Sequence, residues 1–172
     1  SVKFNWEREI RMVDETCPIQ VLTGKNAPKP DPEGWIIVNY DVLGTLRNKL
    51  ELIPFEGFIY DEAHYLKNHK SQRSKHAREL VAQANDPVLH ALTGTPMTSR
   101  PRDLFPLLQL IGHPMGKSFL SFAKRYCDAY HNDYGWVTDG ASNLKELSTQ
   151  LHGSLIRRTK DEVLDLPGKV RH

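Results

Sequence analysis

Cysteine is scarce in this sequence. Cys17 and Cys127 are the only two among 172 residues. That is too few for a disulfide framework and fits a reducing compartment. Neither stands in a Cys-x-x-Cys, and the eight histidines include no His-Glu-x-x-His, so zinc-ligand spacing is missing. No apolar run is long enough to span a bilayer, which argues against a membrane partner. The segment from Ser1 to Ile10 lacks the apolar core of a secretory signal. It also lacks an initiator methionine, which predicts that the chain begins inside a larger intracellular gene product. Cytoplasm is expected for a prokaryotic or viral source and the nucleus for a eukaryotic one. No charge of one sign dominates: the formal net charge is +2, so nucleic-acid binding must be argued from where charge sits. A Gly-x-Ser-x-Gly nucleophile elbow is absent, and so is a Gly-x-x-x-x-Gly-Lys-Ser/Thr phosphate loop. Thr23-Gly24-Lys25 holds a Gly-Lys pair without the glycine spacing or a following hydroxyl, and reads as a turn.

What remains is an ordinary globular composition, with 39% hydrophobic and 26% charged residues, and a length suited to one domain. Trp6, Ile10 and Val13 recur at helical spacing and predict an amphipathic helix over Asn5 to Val13. Short apolar runs at Ile19 to Thr23, Trp35 to Tyr40, Gly57 to Asp61 and Val88 to Leu92 predict strands. Helices are predicted between them at Asp41 to Leu52 and Ser71 to Asn85, the second burying Ala77, Leu80, Val81 and Ala84. A further helix runs to Ile111, with Pro106 tolerable only in its first turn. Another covers Ser118 to Tyr130, where Phe119, Phe122 and Tyr126 read as core. His131 to Ala141 reads as polar loop. Asn143 with Glu146, and Thr159 with Glu162, have capping-box spacing. Strands alternating with helices predict an α/β fold with a mostly parallel sheet flanked by helices and a helical C-terminal part.

The chemistry concentrates at two strand ends. Phe58-Ile59-Tyr60 reads as a buried strand and runs directly into Asp61-Glu62-Ala63-His64. Open α/β sheets bind ligands at the carboxyl ends of their strands. Hydrolysis of a nucleoside triphosphate needs a carboxylate to hold Mg²⁺, commonly through water, and a second group to orient the attacking water. Asp61 and Glu62 offer both, although an acidic pair at a strand end is also ordinary turn chemistry. One strand–helix unit later, Leu92-Thr93-Gly94-Thr95-Pro96 sets two hydroxyls around a glycine that would let backbone approach a neighbouring site. A basic stretch lies between them: Lys67, His69, Lys70, Arg73, Lys75, His76 and Arg78, five of them Lys or Arg before Glu79. It would neutralise phosphates or simply solvate a helix face.

In this order the motifs resemble those of the Swi/Snf-type DNA-translocating ATPases of helicase superfamily two. Asp61 to His64 resembles motif II and Leu92 to Pro96 motif III. Ser1 to Ile10 is similar to motif Ia, Val38 to Leu43 to motif Ib, and Lys67-Asn68 to the Lys-Asn that follows motif II. Arg157-Arg158-Thr159-Lys160 and Leu166-Pro167-Gly168-Lys169 resemble the segment that closes the first lobe. Met97-Thr98-Ser99-Arg100-Pro101 replaces the family's usual Gln-Asn. With Ala123 to Cys127 and Gly140 to Leu144, it is similar to the annealing-helicase subgroup.

The resemblance implies an incomplete RecA-like lobe. Residues 1–172 would be the later part of the N-terminal ATP-binding lobe, carrying motifs Ia, Ib, II and III without phosphate loop or second lobe. It implies that Asp61 helps hold Mg²⁺ and that Glu62 positions or activates the attacking water. His64 would couple the ATP site to Thr93, Gly94 and Thr95. Lys3, Asn5, Tyr40, Lys67, Lys70 and Arg73 would approach nucleic acid, and Arg157 and Arg158 would brace the lobe interface. ATP and Mg²⁺ are the implied cofactors of the full-length protein. Duplex or forked DNA and a second RecA-like lobe are the implied partners. The chain alone is expected not to hydrolyse ATP, and strand Val88 to Leu92 is expected at an exposed sheet edge. Two other readings stay open. One is a non-catalytic nucleic-acid-binding or interaction module of the same fold. The other is a DEAH-box RNA helicase, against which Thr93-Gly94-Thr95-Pro96 argues, because that group carries Ser-Ala-Thr there.

Overall fold

Two parallel strand pairs organise the chain, whose computed structural model describes residues 2–68, 71–97 and 100–158. Strand β1 (Ile19–Leu22) pairs with β2 (Trp35–Val38), and β3 (Gly57–Tyr60) pairs with β4 (Val88–Ala91), both in parallel register. β1, β2 and β3 are short runs rich in β-branched or aromatic residues, the composition that packs well on a pleated surface, while β4 carries only Val88 of that kind. Parallel neighbours need a crossover between them. From β2 the chain passes through a 3₁₀ turn at Tyr40–Val42 into α2 (Leu43–Leu50). From β3 it passes through a 3₁₀ turn at Ala63–Leu66 into α3 (Gln72–Gln83). Ser71 caps α3, its hydroxyl accepting the Ser74 N–H at 3.4 Å. Leu43, Leu46 and Leu50 of α2 and Ala77 and Leu80 of α3 close over Leu22 and Tyr60 to form the main core. Arg47 and Glu79, 2.9 Å apart, tie the two helices at the rim.

Helix α1 (Val2–Val13) precedes β1 and packs on β2. Ile10 is buried and Trp6 half-buried, but Val13 is 92% exposed, because the last turn projects into solvent. The expectation that all three share a buried face is corrected at Val13. The parallel pairing is as expected, and it is divided between two hydrogen-bonded pairs. Among the described strands, β2 and β3 are not hydrogen-bonded to each other. An apolar cleft of about 370 Å³ lies between them, lined by Trp6, Ile36, Val38, Phe58, Ile59 and Tyr60. The two parallel pairs therefore meet through side chains and not through a ladder. β3 is also less buried than expected: Tyr60 faces the core, while Ile59 on the alternate face is 38% exposed. β4 pairs with β3 alone among the described strands, and Val88 at its start is 60% exposed, consistent with an open edge.

A 3₁₀ turn at Pro101–Leu104 leads into α4 (Phe105–Leu110), whose Pro106 falls in the first turn, where its missing N–H costs no helical bond. This short helix serves two cores. Leu107 and Leu110 pack into the strand core, whereas Phe105 and Leu108 join a second one. That second core is built by Phe122, Tyr126 and Cys127 around α5 (Phe119–Tyr126) and by Leu147 and Leu151 of α6 (Leu144–Leu151). Cys17 and Cys127 are both free thiols.

Between α5 and α6, where a polar loop is expected, the chain forms an antiparallel hairpin of β5 (Tyr130–Asn132) and β6 (Gly135–Val137). These strands are too short and polar for alternation to show. The hairpin is pinned by the His131–Trp136 ring pair, with centroids 5.6 Å apart, and by Lys124 Nζ 5.0 Å from the Trp136 ring. The capping box expected at Asn143 is absent. Asn143 adopts a left-handed conformation, φ 49, and its amide donates to the Arg125 carbonyl at 2.7 Å. Glu146 instead accepts from Arg125 and from the Tyr126 hydroxyl. Those donors hold its carboxyl below the usual range, Arg125 contributing most. Asp139 is lowered likewise, by Arg100 first and then Arg102.

Two outcomes follow from this packing. Leu46 is fully buried, so Leu46→Ala should lower the free energy of unfolding by about 2–5 kcal/mol in urea titrations. Leu52→Ala, at a position 73% exposed, should change it by less than about 0.5 kcal/mol. A depressed folded-state pKa means that the associated stability is present above the ordinary carboxylate range and is lost as pH falls through the folded value. Unfolding midpoints should therefore be flat from pH 7 to pH 5 and decline below about pH 4. Arg125→Ala and Arg100→Ala should each shrink that decline.

Candidate active site

The β3–β4 ladder continues past the strands themselves. Leu92 N–H donates to the Tyr60 carbonyl, and Ala63 N–H donates to the Leu92 carbonyl, each at 2.8 Å. These two bonds lay Asp61 to His64 beside Thr93 to Pro96 at the carboxyl end of the pair. The backbone between them is strained. Glu62 is left-handed, φ 46 and ψ 48, a conformation that costs a non-glycine residue about 1 kcal/mol or more. That turn leaves the Glu62 side chain 55% exposed while Ala63 is fully buried behind it.

Asp61 is held from three directions. Its Oδ1 accepts the Glu62 N–H at 2.9 Å, and its Oδ2 accepts the Trp6 indole N–H at 2.8 Å. Its carbonyl accepts the Tyr40 hydroxyl at 2.6 Å. Burial, helped by the Asp61 and Glu62 charges, pushes the Tyr40 phenol far above its ordinary range, so it remains a proton donor at any physiological pH. Tyr60, beneath it, is raised chiefly by burial. Helix α1, the end of β2 and the end of β3 thus converge on one residue, Tyr40 at its main-chain carbonyl and Trp6 and the Glu62 N–H at its carboxylate.

His64 Nδ1 lies 3.0 Å from Glu62 Oε2, at ion-pair distance but off hydrogen-bond geometry. The histidine ring packs on Tyr65 at 4.2 Å between centroids. Besides the ladder bond of Ala63, the segment that carries the acidic pair reaches the threonine turn through Lys67, whose Nζ donates to the Thr95 carbonyl at 2.9 Å. Thr93 Oγ1 accepts the Thr95 N–H at 3.1 Å and closes the turn. A Cβ on Gly94 would meet no atom of the described residues within 4 Å, so none of them requires glycine there by close approach.

The residues expected at nucleic acid are more spread out. Asn5 is exposed on α1, while Lys3 turns inward and donates to the Leu22 carbonyl at 3.4 Å. Tyr40 is committed to Asp61, and Lys67 to Thr95. Arg73 sits 5.8 Å above the Tyr65 ring and 3.7 Å from Asp41. Lys70 lies outside the described residues, as do His69, Thr98, Ser99 and the stretch from Thr159 onward. Arg157 and Arg158 are exposed. In the basic stretch, Lys75 and His76 face Glu79.

No group of three or more metal-ligating side chains occurs among the described residues. Mg²⁺ does not require one, since it usually keeps several waters and takes one or two carboxylates. Each Asp61 oxygen has one donor and retains a lone pair, so the residues present fit a water-mediated ion. Trp6 is the site residue that the pattern of the sequence conceals. Its helical spacing marks it as core, yet a buried indole N–H usually needs an acceptor, and that rule would have sent it looking for one.

Set against known proteins, residues 2–172 match the SNF2-related domain family. The chain is 42% identical over 170 residues to the Drosophila melanogaster SWI/SNF-related matrix-associated actin-dependent regulator of chromatin subfamily A-like protein 1, covering 95% of this chain and 22% of that protein. It is 34% identical to the human DNA annealing helicase and endonuclease ZRANB3, covering 99% of this chain and 17% of that protein. The chain thus spans about a fifth of the length of these relatives. Its fold matches the Sulfolobus solfataricus SWI2/SNF2 ATPase core, solved in complex with dsDNA, with a TM-score of 0.72 and 25% identity. That match covers 97% of this chain and 34% of the other. The chain belongs to the SNF2-related domain family.

Proposed function

We propose that the chain is part of an ATP-dependent DNA translocase or remodeller, annealing-helicase-like, that couples ATP hydrolysis to movement on duplex or forked DNA. The observation that carries this reading is the strand-end assembly. An acidic pair follows β3, and Ala63 and Lys67 bind it to the threonine turn that follows β4. In this reading Asp61 would hold Mg²⁺ through water, and the ion, when bound, would supply charge neutralisation for the phosphates. Glu62, exposed and aimed by its left-handed backbone, positions the attacking water. Thr93, Gly94 and Thr95 feel any movement of the acidic segment through the Lys67–Thr95 bond, with His64 packed beside Glu62. A second RecA-like lobe of the parent protein would complete the site, with Arg157 and Arg158 at its border.

On the nucleic-acid side, Asn5 and Arg73 are exposed or half-exposed cations and amides on the surface of the same lobe. The dsDNA in the Sulfolobus complex supports a duplex partner. The relatives from animals support a nuclear location and a task in DNA repair. The full Gly-x-x-x-x-Gly-Lys-Ser/Thr spacing is absent, Ile111 standing where the first glycine would be and Gly116-Lys117-Ser118 following a 3₁₀ turn and not a strand, so by themselves the 172 residues should show no ATP hydrolysis.

The test is Glu62→Gln in the full-length parent. Hydrolysis should fall by about 10²-fold or more while nucleotide binding persists. A variant hydrolysing near the wild-type rate removes Glu62 from this role. A wild-type parent that binds no nucleotide turns the reading toward a non-catalytic module.

A further inference from the structure

We propose that Trp6 is a positioning residue for Asp61, and that through it helix α1 sets the orientation of the metal-side carboxylate. The inference rests on the functional reading above and adds a residue to it. An aspartate just beyond a strand is free to turn about its side-chain bonds. The bond from the adjacent Glu62 N–H to Oδ1 restrains one oxygen only locally. The bond from the Trp6 indole to Oδ2, 2.8 Å long and bridging 55 positions of sequence, fixes the plane of the carboxylate. An indole N–H is a donor only, so it can serve this oxygen without competing for a proton. It also leaves an outward lone pair on each oxygen.

Trp6 is itself well held. Its ring lines the apolar cleft between β2 and β3, and Ile10, one turn on, is buried at 8% exposure. One turn earlier, Lys3 reaches the Leu22 carbonyl at the end of β1. Helix α1 is therefore fastened to both strand pairs at once, and one of its fastenings is the carboxylate. A hydrogen bond of this length weakens steeply with small changes of distance and angle. A shift of α1, whose opposite face carries the exposed Asn5 and Arg8, is transmitted directly to Asp61.

The test uses the full-length parent and its Trp6→Phe variant, which keeps an aromatic ring and removes the N–H. Binding of a fluorescent ATP analogue is titrated with and without Mg²⁺, alongside thermal unfolding. The half-saturating Mg²⁺ concentration should rise about tenfold, as expected for losing one hydrogen bond to a charged group. Affinity without Mg²⁺ should be unchanged, and the unfolding midpoint should move by less than about 2 °C. Equal weakening with and without Mg²⁺, or an unchanged Mg²⁺ dependence, would overturn the proposal. If Trp6→Phe does not fold, a second measurement decides: in a parent whose other tryptophans, Trp35 and Trp136 among them, are all replaced by phenylalanine, Trp6 emission should change on adding Mg²⁺ with nucleotide and not on adding nucleotide alone. No such difference overturns it. A wild-type parent whose nucleotide binding ignores Mg²⁺ contradicts the functional reading itself, and this inference with it.

Discussion

The parallel ladder between β3 and β4 is the constraint on which the rest of the site depends. Its register pairs Tyr60 with Ala91, and its last two bonds run beyond the strands, from Leu92 to Tyr60 and from Ala63 to Leu92. Because the strands are parallel, both leave the sheet at the same end, and the residues that follow each one must lie side by side. The acidic pair and the threonine turn are neighbours for that reason alone, although 30 or so positions of crossover separate them. The left-handed Glu62 is the local consequence. The chain must turn sharply enough for the Ala63 N–H to reach back across to Leu92, and a strained residue at that corner is the result.

Much of this was legible in the sequence, and the reasons differ by element. The strands and crossover helices of the first hundred residues announce themselves by short apolar runs and 3–4 spacing, and Pro106 could be placed in a first turn from its chemistry. The acidic pair at the end of β3 was visible because parallel strands point their ligand-binding ends one way. What stayed hidden depends on contacts distant in sequence. The Trp6–Asp61 bond, the Lys67–Thr95 bond and the Arg125–Glu146 pair each join residues about 20 to 55 positions apart. Asn143 with Glu146 has the spacing of a capping box, but Arg125 and Tyr126 offered Glu146 better donors, and tertiary contacts overrode the local motif. The β5–β6 hairpin was missed because three-residue polar strands carry no alternation to read.

The charges show the same effect. A basic stretch after the acidic motif suggested a phosphate-binding stripe, yet its described members are largely engaged at home. Lys67 serves the Thr95 carbonyl, Arg73 lies over Tyr65, and Lys75 and His76 share Glu79. With a net charge of only +2, the chain has few cations to spare. Several of those expected to face nucleic acid also make inward hydrogen bonds, Tyr40 to the Asp61 carbonyl and Lys3 to the Leu22 carbonyl.

The central claim is that this acidic strand end works as half of an ATP site driven by DNA. It is tested most directly by the ATPase rate of the full-length parent protein, compared side by side with duplex, forked and single-stranded DNA and with none. The account predicts hydrolysis that is slow without DNA and strongly stimulated by duplex or forked DNA. A rate that is the same with and without every DNA would contradict it.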